Sequence, residues 1–212
     1  MPDSIGTNGA IRALADGAID LGLASRPLRE SELALGIREV PVARSVLVVA
    51  GHRSLEGQTL SWESLLKLAA GGPFDWPDGT PAFIVHREES DSGVGLVHAE
   101  TPALAAALDV GRASGGMTVY TDADAMRVVH DTPGAVALLD LAAAHASTGP
   151  VAAIGITGAP PDTQLSWRRD LSLLVPPQSE AIAATFLESL RTPQAAMALQ
   201  TSGYELLLDG AP

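Results

Sequence analysis

Short apolar runs alternate along this chain with segments of helical spacing, and glycine or proline marks most changes from one to the other. Ile19 to Ala24, Ala82 to Val85, Met117 to Tyr120, Ala135 to Leu139, Val151 to Ile156 and Leu171 to Val175 have strand length. Val40 to Ala50 carries the strongest β-branched run, Val46-Leu47-Val48-Val49. Between them, Ile11, Leu14, Ala15 and Ala18 recur at helical spacing after Gly9, and Asp16-Gly17 supply a stop. Ser61 is placed to cap a helix that Gly71-Gly72-Pro73 ends. Ser92 to Leu108 is helical with an interruption at Pro102, and Asp122 to His130 is a helix that Thr132-Pro133-Gly134 closes. An alanine-rich helix follows Leu139, Ser179 caps one running to about Leu190, and Pro193 to Gln200 forms the last. Strands alternating with helices predict an α/β fold with parallel pairing.

Charge and composition narrow the partners. The 13 Lys and Arg against 25 Asp and Glu give a net charge of −12, with Lys67 the single lysine. A general nucleic-acid binder needs a basic face to release counterions, so polyanionic partners are not expected, whereas a small anion held by local dipoles is compatible with this charge. The absence of cysteine removes disulfides, thiol nucleophiles and Cys-type zinc sites. His52, His86, His98, His130 and His145 show no short ligand spacing, so no metal site is expected and no cofactor is called for. A Gly-x-Ser-x-Gly elbow is missing, and Gly93-Val94-Gly95 lacks the third glycine of a dinucleotide fingerprint. No apolar run approaches the roughly 18 to 20 residues of a membrane span.

Two segments place glycine and small polar residues where a helix should begin: Gly6-Thr7-Asn8-Gly9, and Arg87-Glu88-Glu89-Ser90-Asp91-Ser92-Gly93 after the Val85 strand. The first N–H groups of a helix are unpaired and the dipole favours negative charge, so an oxyanion can be received there, with hydroxyls and an arginine fork as further donors. A third segment, Ser25-Arg26-Pro27-Leu28, lies at the carboxyl end of the Ile19 strand, where open α/β sheets bind ligands. Taken singly, Thr, Asn and Ser in these places are ordinary N-caps, Pro27 starts a helix and Arg87 is a solvated surface charge.

The order of these segments resembles the phosphate-type solute-binding proteins of ABC uptake systems, with the type II periplasmic-binding-protein fold. Gly6 to Leu14, Asp16 to Gly22 and Ala24-Ser25-Arg26-Pro27-Leu28 are similar to that family's Gly-Ser-Gly-type loop, its "D-G-x-x-D-I-G" turn and its "S-R-P-L" motif. Val40-Pro41-Val42-Ala43 with Val46 to Ala50, then Leu60 to Leu65, Trp76-Pro77-Asp78-Gly79 and Thr132-Pro133-Gly134-Ala135 follow in the family's order. Phe186-Leu187 and Gly203-Tyr204 close it. Arg87 with Ser92-Gly93 stands where the family has "R-x-x-G-S-G-T", although Ser92 is one residue further from Arg87 and Val94 replaces the threonine.

The resemblance implies two α/β lobes, residues 1–83 with 165–212 and residues 84–164, crossing near Ala82 to His86 and near Gln164 to Leu171. The first lobe would lack the family's initial strands, leaving a sheet edge open to a second copy. It implies an oxyanion such as phosphate, sulfate, molybdate or tungstate, held in an interlobe cleft by Thr7, Asn8, Gly9, Ser25 and Arg26 from one lobe and Arg87, Ser90, Asp91, Ser92 and Gly93 from the other. No catalytic residue is implied. Asp91 would orient Arg87, accept a proton from a protonated oxyanion or bond its own turn. The partner would be an ABC permease, in the periplasm or outside the cell if a leader has been removed, and otherwise in the cytoplasm. A ligand-sensing domain of the same fold, uncoupled from transport, is the alternative. Catalysis would need a nucleophile beside an acid–base pair, and the cluster Glu88, Glu89 and Asp91 reads equally as a solvated turn.

Overall fold

The structure is a computed structural model and describes residues 5–146 and 151–208. The chain runs through α1 (Gly6–Ala15), β1 (Gly22–Ala24), α2 (Glu30–Leu33), β2 (Arg38–His52), β3 (Thr59–Ser61), α3 (Trp62–Ala69), β4 (Phe83–Arg87), α4 (Ser92–Glu100), α5 (Pro102–Ala113) and β5 (Thr118–Val119). It continues with α6 (Asp122–Asp131), β6 (Ala135–Asp140), α7 (Leu141–Ala146), β7 (Val151–Ala153), β8 (Gly155–Thr157), β9 (Trp167–Val175), α8 (Glu180–Leu190), α9 (Pro193–Thr201) and β10 (Glu205–Leu206).

Two compact units divide these elements, Met1–Ser45 with Arg168–Pro212, and Val46–Trp167. The first crossing therefore falls inside β2, not near Ala82 to His86 as the resemblance suggested. Its cause is packing: the second half of β2 forms a ladder with β6, Leu47 opposite Asp140 through Gly51 opposite Val136, and Leu65 and Leu68 of α3 join the core of the second unit. The predicted parallel pairing holds for β4 with β5, β4 with β6 and β3 with β8. The β1/β9, β10/β2, β2/β6 and β2/β7 ladders are antiparallel, so the sheet is mixed.

In the first unit β9 lies between β1 and β2, with β10 on β2. Successive side chains of a strand point to opposite faces, and Leu173 and Leu174 accordingly serve two cores. Leu174 packs with Ile11, Leu14, Ala24, Leu28 and Ile37, and Leu173 with Val42, Ala43, Val175, Ala183 and Leu208.

The second unit repeats the device on β4 and β6. Ile84, Val136 and Leu138 pack with the buried Leu65 and Leu68 of α3, Val97 of α4 and Leu104 of α5, and with Trp167 at the start of β9. Val85, Ala135, Ala137 and Leu139 face Ala125 and Val129 of α6. Every residue of β6 is buried, as expected of a strand covered on both sides. Ser61 caps α3 through Ser64 N–H, and Pro102 opens α5 after α4 ends, both as expected. The buried Trp167 donates its indole N–H to Thr101 Oγ1 at 2.9 Å, and Thr101 in turn donates to the carbonyl of Gln164.

At the turn before β6, Gly134 has φ +82°, and a Cβ there would lie 2.3 Å from the Pro81 carbonyl oxygen. Its own carbonyl accepts the Trp76 indole N–H at 3.2 Å. Gly134→Ala is expected to destabilise the protein by about 2 kcal/mol or more, read from urea unfolding, because backbone strain and a close approach add at one residue. A loss under about 0.5 kcal/mol would mean that the turn relaxes freely.

Candidate functional site

The residues singled out from the sequence fall into two groups, one in each unit. In the first unit α1 begins at Gly6, earlier than expected, so Thr7, Asn8 and Gly9 sit inside the helix and not ahead of it. Thr7 is no cap. The helix opens after Ile5 without a side-chain cap, and the Thr7 hydroxyl instead accepts the Ser25 N–H at 3.1 Å, tying α1 to the end of β1. Asn8 Oδ1 accepts from Arg26 Nη2 at 2.7 Å.

Arg26 is spoken for. Its two terminal nitrogens donate to the two carboxylate oxygens of Glu32 at 2.8 and 2.7 Å, and Nη1 also reaches the Pro27 carbonyl. Pro27 does not start a helix: α2 starts at Glu30, and Glu32 accepts the Arg29 N–H at its entrance. The arginine fork expected to face a ligand thus closes on a carboxylate of its own unit, a bidentate pair that is largely buried on both sides.

In the second unit Arg87 ends β4 and is 8% exposed. Its Nη2 donates to Asp91 Oδ2 at 2.7 Å and lies 3.6 Å from Asp122 Oδ1, while Nε and Nη1 are buried without a hydrogen-bond partner. Asp91 is the N-cap of α4: its Oδ1 accepts from Gly93 N–H at 2.9 Å and Val94 N–H at 3.2 Å. Two of the amides expected to receive an anion are therefore taken by this carboxylate, which both orients Arg87 and bonds its own turn. A Cβ on Gly93 would lie 3.0 Å from Asp91 Oδ1 and 3.2 Å from Leu47, so glycine is what lets cap and strand approach. Ser92 opens α4 and Ser90 is exposed in the preceding turn.

Arg87, Asp91 and Gly93 line a small pocket together with Leu47, Val85, Val94, Leu108 and Leu138 and with His86, Arg112 and Asp122. It lies at the carboxyl end of β4, where α/β sheets place ligands. The last three residues escape sequence reading. The position of His86 beside Arg87 at a strand end is the one signal for it in the sequence. Arg112 in the last turn of α5 and Asp122 in the first turn of α6 belong to no motif.

Two guanidiniums and two carboxylates balance in the walls, and Arg112 is itself bonded to Asp109. Burial, with Arg112 nearby, pushes the His86 imidazole down to about 4, so it is neutral at pH 7. Among the described residues no group of three or more acidic or histidine side chains could hold a metal, and the side chain of His145 lies outside them.

Residues 2–197 match the model of a family described as the PBP superfamily domain. Similar solved structures include a candidate phosphate ABC transporter substrate-binding protein from Clostridium perfringens with phosphate bound, at 15% identity and a TM-score of 0.73 over 96% of this chain and 86% of that one. The periplasmic molybdate-binding protein of Azotobacter vinelandii follows at 13% identity and a TM-score of 0.59, over 96% and 86%. Full-length CbnR in complex with its target DNA aligns at 16% identity and a TM-score of 0.51, over 88% of this chain and 57% of that one. No curated protein matches the sequence significantly. These likenesses establish a periplasmic-binding-protein-like α/β fold.

The hydrogen bond from Arg26, ahead of all other causes, holds the Glu32 carboxyl at about 2. A depressed carboxyl contributes stability that is complete above its unfolded value and is lost as pH falls through the folded one. Glu32→Gln is therefore expected to cost about 2 kcal/mol at pH 7. In urea unfolding the difference from wild type should shrink from below about pH 4.5 toward pH 2. A difference independent of pH would assign the loss to packing.

Proposed function

The chain belongs to the PBP superfamily domain family, and on that ground we propose that it captures a small oxyanion, phosphate-like in size and charge, as the substrate-binding component of an ABC uptake system. The observation that carries this reading is the buried guanidinium of Arg87, charged, pinned by Asp91 and left with two nitrogens unbonded. Leaving a buried charged donor unpaired costs about 1–3 kcal/mol per group, and an oxyanion supplies the missing acceptors. Ser90 and Ser92, in the same turn, are the further proposed donors, and Gly93, whose N–H stays with Asp91, lines the pocket.

Asp91 gives the pocket a negative element that an anion without a proton would meet as repulsion. A protonated oxyanion can donate to it, which favours hydrogen phosphate over sulfate. In the first unit Thr7 and Ser25 are the proposed ligand hydroxyls, at a helix start that no side chain caps. Asn8 and Arg26, bonded to each other, position that segment, and Gly9 makes room for Ile5, since a Cβ there would lie 2.9 Å from Ile5 Cβ. The reading assigns no catalytic role. A periplasmic location fits the fold relatives that bind oxyanions, one of which is described as periplasmic.

A second reading, a ligand-sensing domain uncoupled from transport, is supported by the likeness to CbnR, a protein solved on its target DNA. Permease and ATPase genes next to the reading frame are expected for transport, and an adjoining DNA-binding segment for sensing.

Calorimetry with phosphate, sulfate, molybdate and tungstate should give saturable heat with at least one of them. Arg87→Gln should weaken it by about 100-fold or more, as removal of a buried charge-assisted bond costs roughly 3 kcal/mol. A folded sample silent toward all four anions would end the oxyanion reading.

A further inference from the structure

We infer that His86 is a ligand-side, proton-sharing residue of the Arg87 pocket, so that capture of an unprotonated dianion draws one proton onto its imidazole. The inference rests on the proposed oxyanion reading of that pocket and adds the protonation state in which the ligand is held.

Geometry supports it first. His86 lines the same pocket as Arg87 and is only 2% exposed, and its Nδ1 is buried with no hydrogen-bond partner. The ring is set there by two glycines. A Cβ on Gly111, within α5, would lie 2.2 Å from the Ala69 carbonyl oxygen and 2.6 Å from His86 Cε1, and one on Gly116 would lie 2.6 Å from Nε2. A glycine inside a helix costs roughly 1 kcal/mol relative to alanine, so the close approach of α5 to the end of α3 and to this ring is kept against the local preference of the chain. An apolar side chain would fill such a space without leaving a buried nitrogen unsatisfied, and an unsatisfied polar atom beside a pocket calls for a partner that arrives with the ligand.

The charges facing the imidazole decide when it takes a proton. Arg112 faces it from α5 and Arg87 adjoins it on β4, while Asp91 from the start of α4 and Asp122 from α6 line the same pocket. The lining residues of β2 and β6 are uncharged. With the pocket empty, burial and Arg112 keep the ring neutral. A dianion placed against Arg87 reverses the sign of the local field, and the imidazolium then becomes the favoured form, its N–H donated to the ligand. A ligand that already carries a proton meets the neutral ring as an acceptor instead.

Because the bound state holds a proton that the free state lacks, affinity for a dianion should rise as pH falls, by up to tenfold per unit. Sulfate and molybdate are suitable probes because neither carries a proton over roughly pH 5.5 to 7.5. Calorimetry of each in buffers of different ionisation enthalpy should report uptake of up to one proton per anion, and affinity should climb toward the acid end.

His86→Gln, checked for folding by circular dichroism, should bind with no proton uptake and a flat pH profile. As a readout that needs no variant, nitrogen NMR of the wild-type histidines, with phosphate included as a third probe, should show the His86 ring becoming protonated at higher pH in the complex than in the free protein. The inference is overturned if the ring stays neutral in every complex down to about pH 5.5, or if His86→Gln retains the slope, which would pass the proton to Asp91 or Asp122. Binding that is saturable but independent of pH refutes the role of His86 and leaves the oxyanion reading standing; silence toward all the anions removes both.

Discussion

One carboxylate, Asp91, serves two demands of the second unit at once. One oxygen closes the open amides of α4 and the other holds a buried arginine at the end of β4. Burying a guanidinium is costly unless it is paired, and starting a helix leaves donors unpaired. Meeting both with a single side chain ties the placement of Arg87 to the formation of the helix beside it. The pocket wall is thus a product of secondary structure and not of a mobile loop residue.

The first unit solves a similar problem by the opposite means. Its arginine, Arg26, is neutralised by Glu32 and further bonded by Asn8, so its charge is met within its own unit. The two units therefore present different chemistries. The second surrounds a guanidinium that has two unbonded nitrogens with acidic groups; the first closes its guanidinium on a carboxylate. A protein with a net charge of −12 can still hold an anion under such conditions, because the local field is set by groups a few ångströms away.

Much of this was legible in the residues, and what was not has identifiable causes. The cap at Ser61, the break at Pro102 and the strand of β6 follow from short-range chemistry, which a linear reading captures. Arg87 and Asp91 could be paired on paper because they are neighbours in one turn. The partner of Arg26 is not legible in the residues, because Glu32 lies in α2, a helix too short to announce itself by periodicity. β2 runs two residues past Val40 to Ala50 at each end, because Arg38 and Glu39 are polar and carry no apolar signal although the strand continues through them. Arg112 and Asp122 reach the pocket from α5 and α6, and no spacing in the sequence encodes that convergence.

The indole of Trp167, bonded to Thr101 in the core of its unit, has a spectroscopic consequence. All three tryptophans, at 62, 76 and 167, belong to the unit formed by Val46–Trp167. Tryptophan emission, excited apart from tyrosine, therefore follows one unit and is blind to the other. Unfolding traced by fluorescence alongside far-ultraviolet dichroism will coincide only if the two halves melt as a single cooperative body.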